Sequence, residues 1–247
     1  MQEPSLKDGR MSDGDMEKTI RNIVWDMDGT LMDTLQDLML AVNHALKKYD
    51  MPERTMEQIR CSVGNGVRRL VVQSVPGGED NPLYQAVFDE FRNWYLAHCE
   101  DHTAPYEGIL EVLRELKMRG YRMAIVSNKM QEGIDELHRR WFSDTIDVAI
   151  GERPGIARKP AADMVRLALR EIGASQDDSV YIGDSDVDMA TARNSGLPCI
   201  SVLWGFRTRR ELSASGAKHF VGKPHEILEM LDINSAKGVQ TEAGNGS

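Results

Sequence analysis

The chain has 247 residues, 41% of them hydrophobic and 28% charged, which is length enough for a packed core and excludes a chain disordered throughout. Acidic residues outnumber basic ones by 39 to 30, a formal charge of −9, so a general nucleic-acid or anionic-membrane surface is excluded. No apolar run approaches the ~18 residues of a membrane helix, and the N-terminus lacks the apolar stretch of a secretory signal. Cys61, Cys99 and Cys199 are far apart and form no zinc spacing. Free thiols in a reducing cytoplasm are expected.

In chain order, residues 1–21 are polar and lack a sustained period, as do 234–247, and both read as flexible tails. Residues 23–25 (IVW) form a short apolar run that reads as a buried strand. From 35 to 104 the spacing is helical, carried by Leu38, Val42, Ala45 and Leu46, then Val67, Leu70 and Val71, then Val87, Phe91, Trp94 and Tyr95. Glycines and prolines at Pro52, Gly64, Gly66, Pro76 and Pro82 punctuate it. Beyond Pro105 strands and helices alternate: helix 108–118, strand 121–127, helix 131–141, strand 146–150, helix 160–172, strand 179–182, helix 187–194 closed by Gly196, strand 198–203, and a last helix at 224–231. This alternation predicts an α/β fold, a doubly wound, mostly parallel sheet. Its core would comprise residues 22–34 and 105–233, with 35–104 inserted as a small helical cap.

Ligands of doubly wound sheets bind outside the carboxyl ends of the strands. Asp26 and Asp28 follow the first predicted strand, Ser127 and Asn128 end the second, and Gly183 and Asp184 end the fourth. Polar residues from distant parts of the chain therefore meet at one edge. In Asp26-Met27-Asp28-Gly29-Thr30 both carboxylates can face a site if the backbone turns at Gly29. One carboxylate could attack phosphorus and the other shuttle a proton; equally, the segment could be a helix cap with turn carboxylates. Asp184, Asp186 and Asp188 are hard oxygen donors of the kind Mg²⁺ takes. An EF-hand fails, because its sixth position is Met189 and its twelfth Ser195. The alternative is capping of the following helix by one of the acids. Lys159 would offset this charge and hold a phosphoryl group, assisted by the hydroxyl, amide and backbone N–H groups of Ser127 and Asn128.

Val63-Gly64-Asn65-Gly66-Val67-Arg68 is a glycine-flanked turn entering a helix, and is neither a P-loop nor a dinucleotide fingerprint. Its helix start could receive a substrate anion with Asn65, Gly66 and Arg68 as specificity candidates, or be a plain turn beside surface arginines. Trp94 and Tyr95 read as helix packing, and the six histidines form no metal-ligand pair.

DMDGT at 26–30, SNK at 127–129, RKP at 158–160 and GDSDVD at 183–188 stand in the order of the four motifs of the haloacid dehalogenase superfamily, which the chain resembles over residues 22–231. The resemblance implies a Rossmann-like core with the 35–104 insertion as its cap. It implies Asp26 as nucleophile and Asp28 as general acid/base. It further implies Mg²⁺ held by Asp26, Asp28 (through its backbone carbonyl) and Asp184, with Asp188 supporting the metal site. Ser127 and Lys159 would hold phosphate. Retention of Asp28 points to phosphoryl transfer, where positioning and charge neutralisation carry most of the catalysis. VGNGVRRLV in the insertion, HTAPYEGILEVLRELKMRGYRMAIVSNK and the turn at Trp204-Gly205-Phe206-Arg207 are similar to the phosphoglycolate phosphatase branch, which implies 2-phosphoglycolate as substrate. Met32 and Glu107 depart from the branch's common Val and Pro. Pyrophosphatases, nucleotide or sugar phosphatases and β-phosphoglucomutases share the scaffold and remain alternatives, as does a phosphoryl-binding module without turnover. The expected partners are a small phosphorylated metabolite and, at most, a second copy in a homodimer; neither nucleic acid nor membrane is expected.

Overall fold

The computed structural model describes residues 20–232. The predicted tails at 1–19 and 234–247 lie outside the described residues. Ile20 and Arg21, assigned to the first tail, belong instead to the folded core. Ile20 is buried in a hydrophobic cluster, and the Arg21 backbone bonds to Asp178 and Arg122.

The elements are β1 (Asn22–Trp25), β2 (Met32–Asp33), α1 (Leu35–Lys48), α2 (Met56–Ser62), α3 (Val67–Ser74), α4 (Tyr84–His98), β3 (Ala104–Pro105), α5 (Ile109–Met118), β4 (Arg122–Met130) and α6 (Gln131–Trp141). There follow β5 (Val148–Glu152), α7 (Asp163–Glu171), β6 (Ser179–Gly183), α8 (Asp186–Ser195), β7 (Cys199–Val202), α9 (Arg209–Ala214) and β8 (His219–Val221). A helical segment at 226–232 closes the described chain.

Six strands form one sheet in the order β5-β4-β1-β6-β7-β8, and every pairing in it is parallel. Strand side chains alternate between faces. Ile23 and Trp25 of β1, Met123 and Ile125 of β4, and Val180 and Ile182 of β6 pack with α5 and α6 in one cluster. Val24, Ala124, Val126 and Tyr181, from the same three strands, pack with α7 and α8 in another. The doubly wound architecture therefore follows directly from the apolar runs of the central strands, buried on both sides.

Two differences from the sequence reading have local causes. The third long strand lies at Val148–Glu152 rather than 146–150, because Ile146 closes a turn back onto Phe142. β8 and α9 have three and six residues, too short to show periodicity. A Thr208–Glu211 capping box nevertheless starts α9, satisfying N–H groups that a helix start leaves free.

α1 to α4 bury their own cluster, joined by Phe206 from the core. At the junction, β2 pairs antiparallel with β3, so the chain leaves and re-enters the core as one two-stranded ribbon. Asp37, fully buried in the first turn of α1, accepts hydrogen bonds from the backbone N–H of His102 and Thr103 and from the His102 ring. These bonds hold its carboxyl below the ordinary value despite the opposing effect of burial, and pin the outgoing and returning linkers together.

Candidate active site

β1, β4 and β6 end side by side, and the residues after them converge. Asp26 follows β1 and donates its N–H to Ile182 O at 2.9 Å. The turn after it needs Gly29, which has φ +87° and which a side chain would strain. β4 continues past its expected end to Met130, with a register shift against β5 between Val126 and Met130. That irregularity frees Ser127, Asn128 and Lys129 from regular pairing and lets them line a cleft with Asp26, Asp28 and Lys159. Gly151 permits it, since a Cβ there would stand 2.9 Å from Lys129 O.

Lys159 is the hub. Its Nζ donates to Asp26 Oδ1 at 2.7 Å, Asp188 Oδ1 at 2.8 Å and the Tyr181 hydroxyl at 3.1 Å. All three donors of its ammonium are thus occupied. Burial pulls Lys159 down, yet Asp188 and Asp26 more than offset this and hold it above its ordinary value. Asp188 also accepts at Oδ2 from Ser185 Oγ at 2.6 Å and from the N–H groups of Asp184 and Ser185. The cap of α8 is therefore Ser185, with Asp188 closing its capping box; none of the acids is itself the cap residue. Burial raises the Asp188 carboxyl, but Lys159 and the donated hydrogen bonds win and lower it. Asp26 has fewer partners, and burial followed by the Asp188 charge pushes it well above the carboxylate range.

Asp184 is held by Thr30 Oγ1 at 3.2 Å and by the Phe206 N–H at 2.6 Å. Gly29 and Gly205 form its cradle. A Cβ on Gly205 would lie 2.3 Å from Gly29 O and 2.4 Å from Asp184 Cβ. Trp204 Nε1 braces the same loop by donating to Thr30 O at 3.0 Å. Burial and then Asp188 push the Asp184 carboxyl up to about 7.

One carboxylate oxygen from each of Asp26, Asp184 and Asp188 falls within 4.8 Å of the others. Three buried carboxylates against the Lys159 ammonium leave an excess of negative charge on hard oxygen donors, which fits a divalent cation. Asp188, already bound by Lys159, Tyr181 and the turn, is least free to ligate. Asp26 and Asp184 are the available side chains. The Asp28 side chain points elsewhere, to Lys129 Nζ at 3.2 Å.

The cap closes the cleft with Leu38, Val63, Gly64, Gly66, Val67 and Leu70, leaving a cavity of about 30 Å³, room for about two water molecules. Asn128 Nδ2 donates to Gly64 O of the cap and to Lys159 O of the core, both at 3.1 Å. This orientation leaves Asn128 Oδ1 without a partner among the described residues, and its side-chain amide donor joins the two units. Arg207 donates to Arg60 O at 2.9 Å and Val63 O at 2.8 Å, and Arg60 donates to Phe206 O.

Of the cap candidates, Gly66 lines the cleft and Asn65 and Arg68 do not. Both are exposed. The Arg68 guanidinium lies 4.7 Å from the Phe88 ring centroid, with Tyr84 OH at 3.5 Å. Lys129 and Tyr95 were not among the predicted site residues. Lys129 is 3% exposed and Tyr95 0%, and Lys129 Nζ donates to the Tyr95 hydroxyl. Lys129 could have been found from its place in SNK, beside two assigned residues; nothing local marks Tyr95.

Comparisons with known proteins agree with this geometry. The model of the haloacid dehalogenase-like hydrolase family matches residues 23–202. A phosphoglycolate phosphatase of Caulobacter vibrioides is 32% identical over 212 residues, 84% of this chain and 88% of the relative. An N-acetylmuramic acid 6-phosphate phosphatase of Pseudomonas aeruginosa is 26% identical, over 86% of this chain and 95% of the relative. A crystal structure from Lactobacillus delbrueckii subsp. bulgaricus superposes with a TM-score of 0.83 at 33% identity, covering 87% of this chain and 99% of that one. With the polar sheet edge, the four motifs and these relatives in agreement, the chain belongs to the haloacid dehalogenase-like hydrolase family.

Proposed function

We propose that this enzyme is a Mg²⁺-dependent phosphatase that hydrolyses a small phosphomonoester, 2-phosphoglycolate first among the candidates, through a phospho-aspartyl intermediate on Asp26. At the level of class the chain is a phosphoric monoester hydrolase. The observation that carries the finer reading is the Asp26 carboxylate in the cleft, with Lys159 Nζ 2.7 Å from it.

In the proposed reaction an Asp26 oxygen attacks phosphorus in line as the P–O bond to the leaving group breaks. Asp28 gives its proton to the departing alkoxide. Asp28 then takes a proton from water, whose oxygen attacks phosphorus, releases phosphate and restores the Asp26 carboxylate. Ser127 stabilises the phosphoryl oxygens, joined by Lys159, whose donor to Asp26 passes to the phosphoryl group as the Asp26 oxygen bonds to phosphorus, and donors fixed before charge develops are the effective ones. Asp188 and Tyr181 aim the Lys159 ammonium. Bound Mg²⁺, held by Asp26, the Asp28 carbonyl and Asp184, would neutralise phosphoryl charge. The apolar cap wall excludes water while the ester bond breaks. A small leaving group is the reading that the Caulobacter relative supports. The Pseudomonas relative makes amino-sugar phosphates the second reading.

The test is a panel of phosphorylated metabolites ranked by kcat/KM, including 2-phosphoglycolate, N-acetylmuramic acid 6-phosphate, pyrophosphate and hexose phosphates, with Asp26→Asn as control. The expected result is a first rank for 2-phosphoglycolate and loss of turnover in the variant. A poor rank would defeat the substrate assignment, isomerisation without phosphate release would indicate a mutase, and wild-type velocity in Asp26→Asn would defeat the mechanism.

A further inference from the structure

The cleft holds two buried lysines that are placed differently. Lys159, with its three donors on Asp26, Asp188 and Tyr181, belongs to the phosphoryl side. Lys129 Nζ has Asp28 Oδ1 at 3.2 Å and the Tyr95 hydroxyl as its hydrogen-bond partners among the described residues, so one of its three donors is uncommitted. We propose that Lys129 is the specificity residue of this cleft: its ammonium pairs with an acid group on the carbon that bears the phosphorylated hydroxyl, and selects phosphomonoesters of small 2-hydroxy acids. This rests on the phosphatase reading and on Asp28 as the acid that protonates the leaving oxygen.

Asp28 must touch the leaving oxygen, and Lys129 touches Asp28. A carboxylate one carbon removed from that oxygen therefore falls beside Lys129 Nζ. The cap lines the same cleft with the apolar side chains of Leu38, Val63, Val67 and Leu70. An anion placed there without a counter-charge would be strongly disfavoured, so in this cavity a carboxylate is admitted by Lys129 or excluded. Arg68, the cationic residue expected from the sequence to serve this purpose, lies outside the cleft against Phe88 and Tyr84.

The cation is also pre-organised. Tyr95 stacks on Phe91, one helical turn away on α4, with ring centroids 5.5 Å apart and planes 10° apart. The Tyr95 hydroxyl in turn holds Lys129 Nζ from the side of α4. Lys129 comes from the core strand β4 and Tyr95 from the cap helix α4, so the recognition site is assembled only when the cap is docked. A substrate acid that binds Lys129 thereby favours the closed arrangement, in which Asp28 is shielded from bulk water.

The experiment measures kcat and KM for 2-phosphoglycolate and for ethyl phosphate, the same carbon chain without the acid, using the full chain with Mg²⁺. Wild type is expected to prefer the acid-bearing ester. Lys129→Gln, which can still hydrogen-bond Asp28 and Tyr95, is expected to lower kcat/KM for 2-phosphoglycolate roughly 10- to 100-fold, the range for losing a charged hydrogen bond. That loss should appear mainly in KM, with ethyl phosphate changed far less. Lys129→Arg should recover part of the preference, and Arg68→Gln should keep it. Tyr95→Phe retains ring and lysine, and should weaken the preference even if Lys129→Gln folds poorly in melting experiments. An equal fall for both esters in Lys129→Gln and Tyr95→Phe would reduce Lys129 to a structural or Asp28-positioning role and overturn the inference, as would an undiminished preference. Wild-type hydrolysis of both esters without preference would also overturn it while leaving the phosphatase reading intact. No hydrolysis of either ester, with turnover of another phosphomonoester of the panel, would remove the 2-phosphoglycolate assignment and the inference with it; no turnover of any would remove the proposed mechanism as well.

Discussion

Replacing Lys159 with methionine removes the ammonium between two buried carboxylates. Lys159, Asp26 and Asp188 are 3%, 6% and 0% exposed, and the ion pairs are 2.7 and 2.8 Å long. Methionine fills the volume but leaves two carboxylates in one low-dielectric site without their cation, and breaking a buried pair in this way costs about 3–5 kcal/mol. For a chain of this size each kcal/mol shifts the melting temperature by about 2–4 °C, so a fall of roughly 6–20 °C is expected without divalent cation. The pH dependence has a definite sign. Asp26 is already raised above its ordinary carboxylate value by burial and Asp188, and the substitution raises it further. The folded variant therefore holds a proton that the unfolded chain releases, and this contribution is present at low pH and lost as pH rises through the folded value. The deficit should be smallest near pH 5 and largest near pH 8, and adding Asp188→Asn should recover part of it. Thermal unfolding with chelator across that range is the assay. A melting temperature within about 2 °C of wild type, or a deficit that grows on acidification, would refute this account of the charge balance.

Two further outcomes follow from the same cluster. With Asp184 raised to about 7 by burial and Asp188, the folded chain takes up a proton there, and its contribution to stability is lost as pH rises through that value. Mg²⁺ competes with this proton, so its affinity should rise with pH, about tenfold per unit below 7 for one displaced proton. Calorimetric titration at pH 6 and pH 8 checks this, and equal affinities would count against Asp184 as a ligand. Gly205→Ala would place a Cβ 2.3 Å from Gly29 O and 2.4 Å from Asp184 Cβ. Overpacking of this kind costs about 1–3 kcal/mol, and weaker Mg²⁺ binding should accompany it, read from the melting curve and the same titration.

Much of the architecture is written locally. The runs at Ile23–Trp25, Met123–Val126 and Val180–Ile182 are apolar at consecutive positions, the pattern of strands covered on both faces, and the structure buries them between two helical layers. Polar residues directly after such strands have only the carboxyl edge to occupy. Asp26, Ser127, Asn128 and Asp184 were therefore readable as neighbours although far apart in the chain. Lys159 follows no strand, and the RKP motif together with the acids it balances brought it into the prediction.

The sequence by itself thus determined the doubly wound core, the helical segment inserted after its first strand and the sheet edge at which the polar residues collect, because periodicity and strand-end polarity are properties of neighbouring residues. Only the tertiary structure decided which basic residue is enclosed in the cleft. On α3 successive residues turn by about 100°; packing buries Val67, Leu70 and Val71 and thereby swings Arg68 out onto Phe88. Lys129, an unremarkable lysine in the chain, is buried because the irregular end of β4 turns it inward and α4 places Tyr95 over it. Whether a charge is solvated or enclosed depends on what covers it, and the cover here comes from a segment more than thirty residues away.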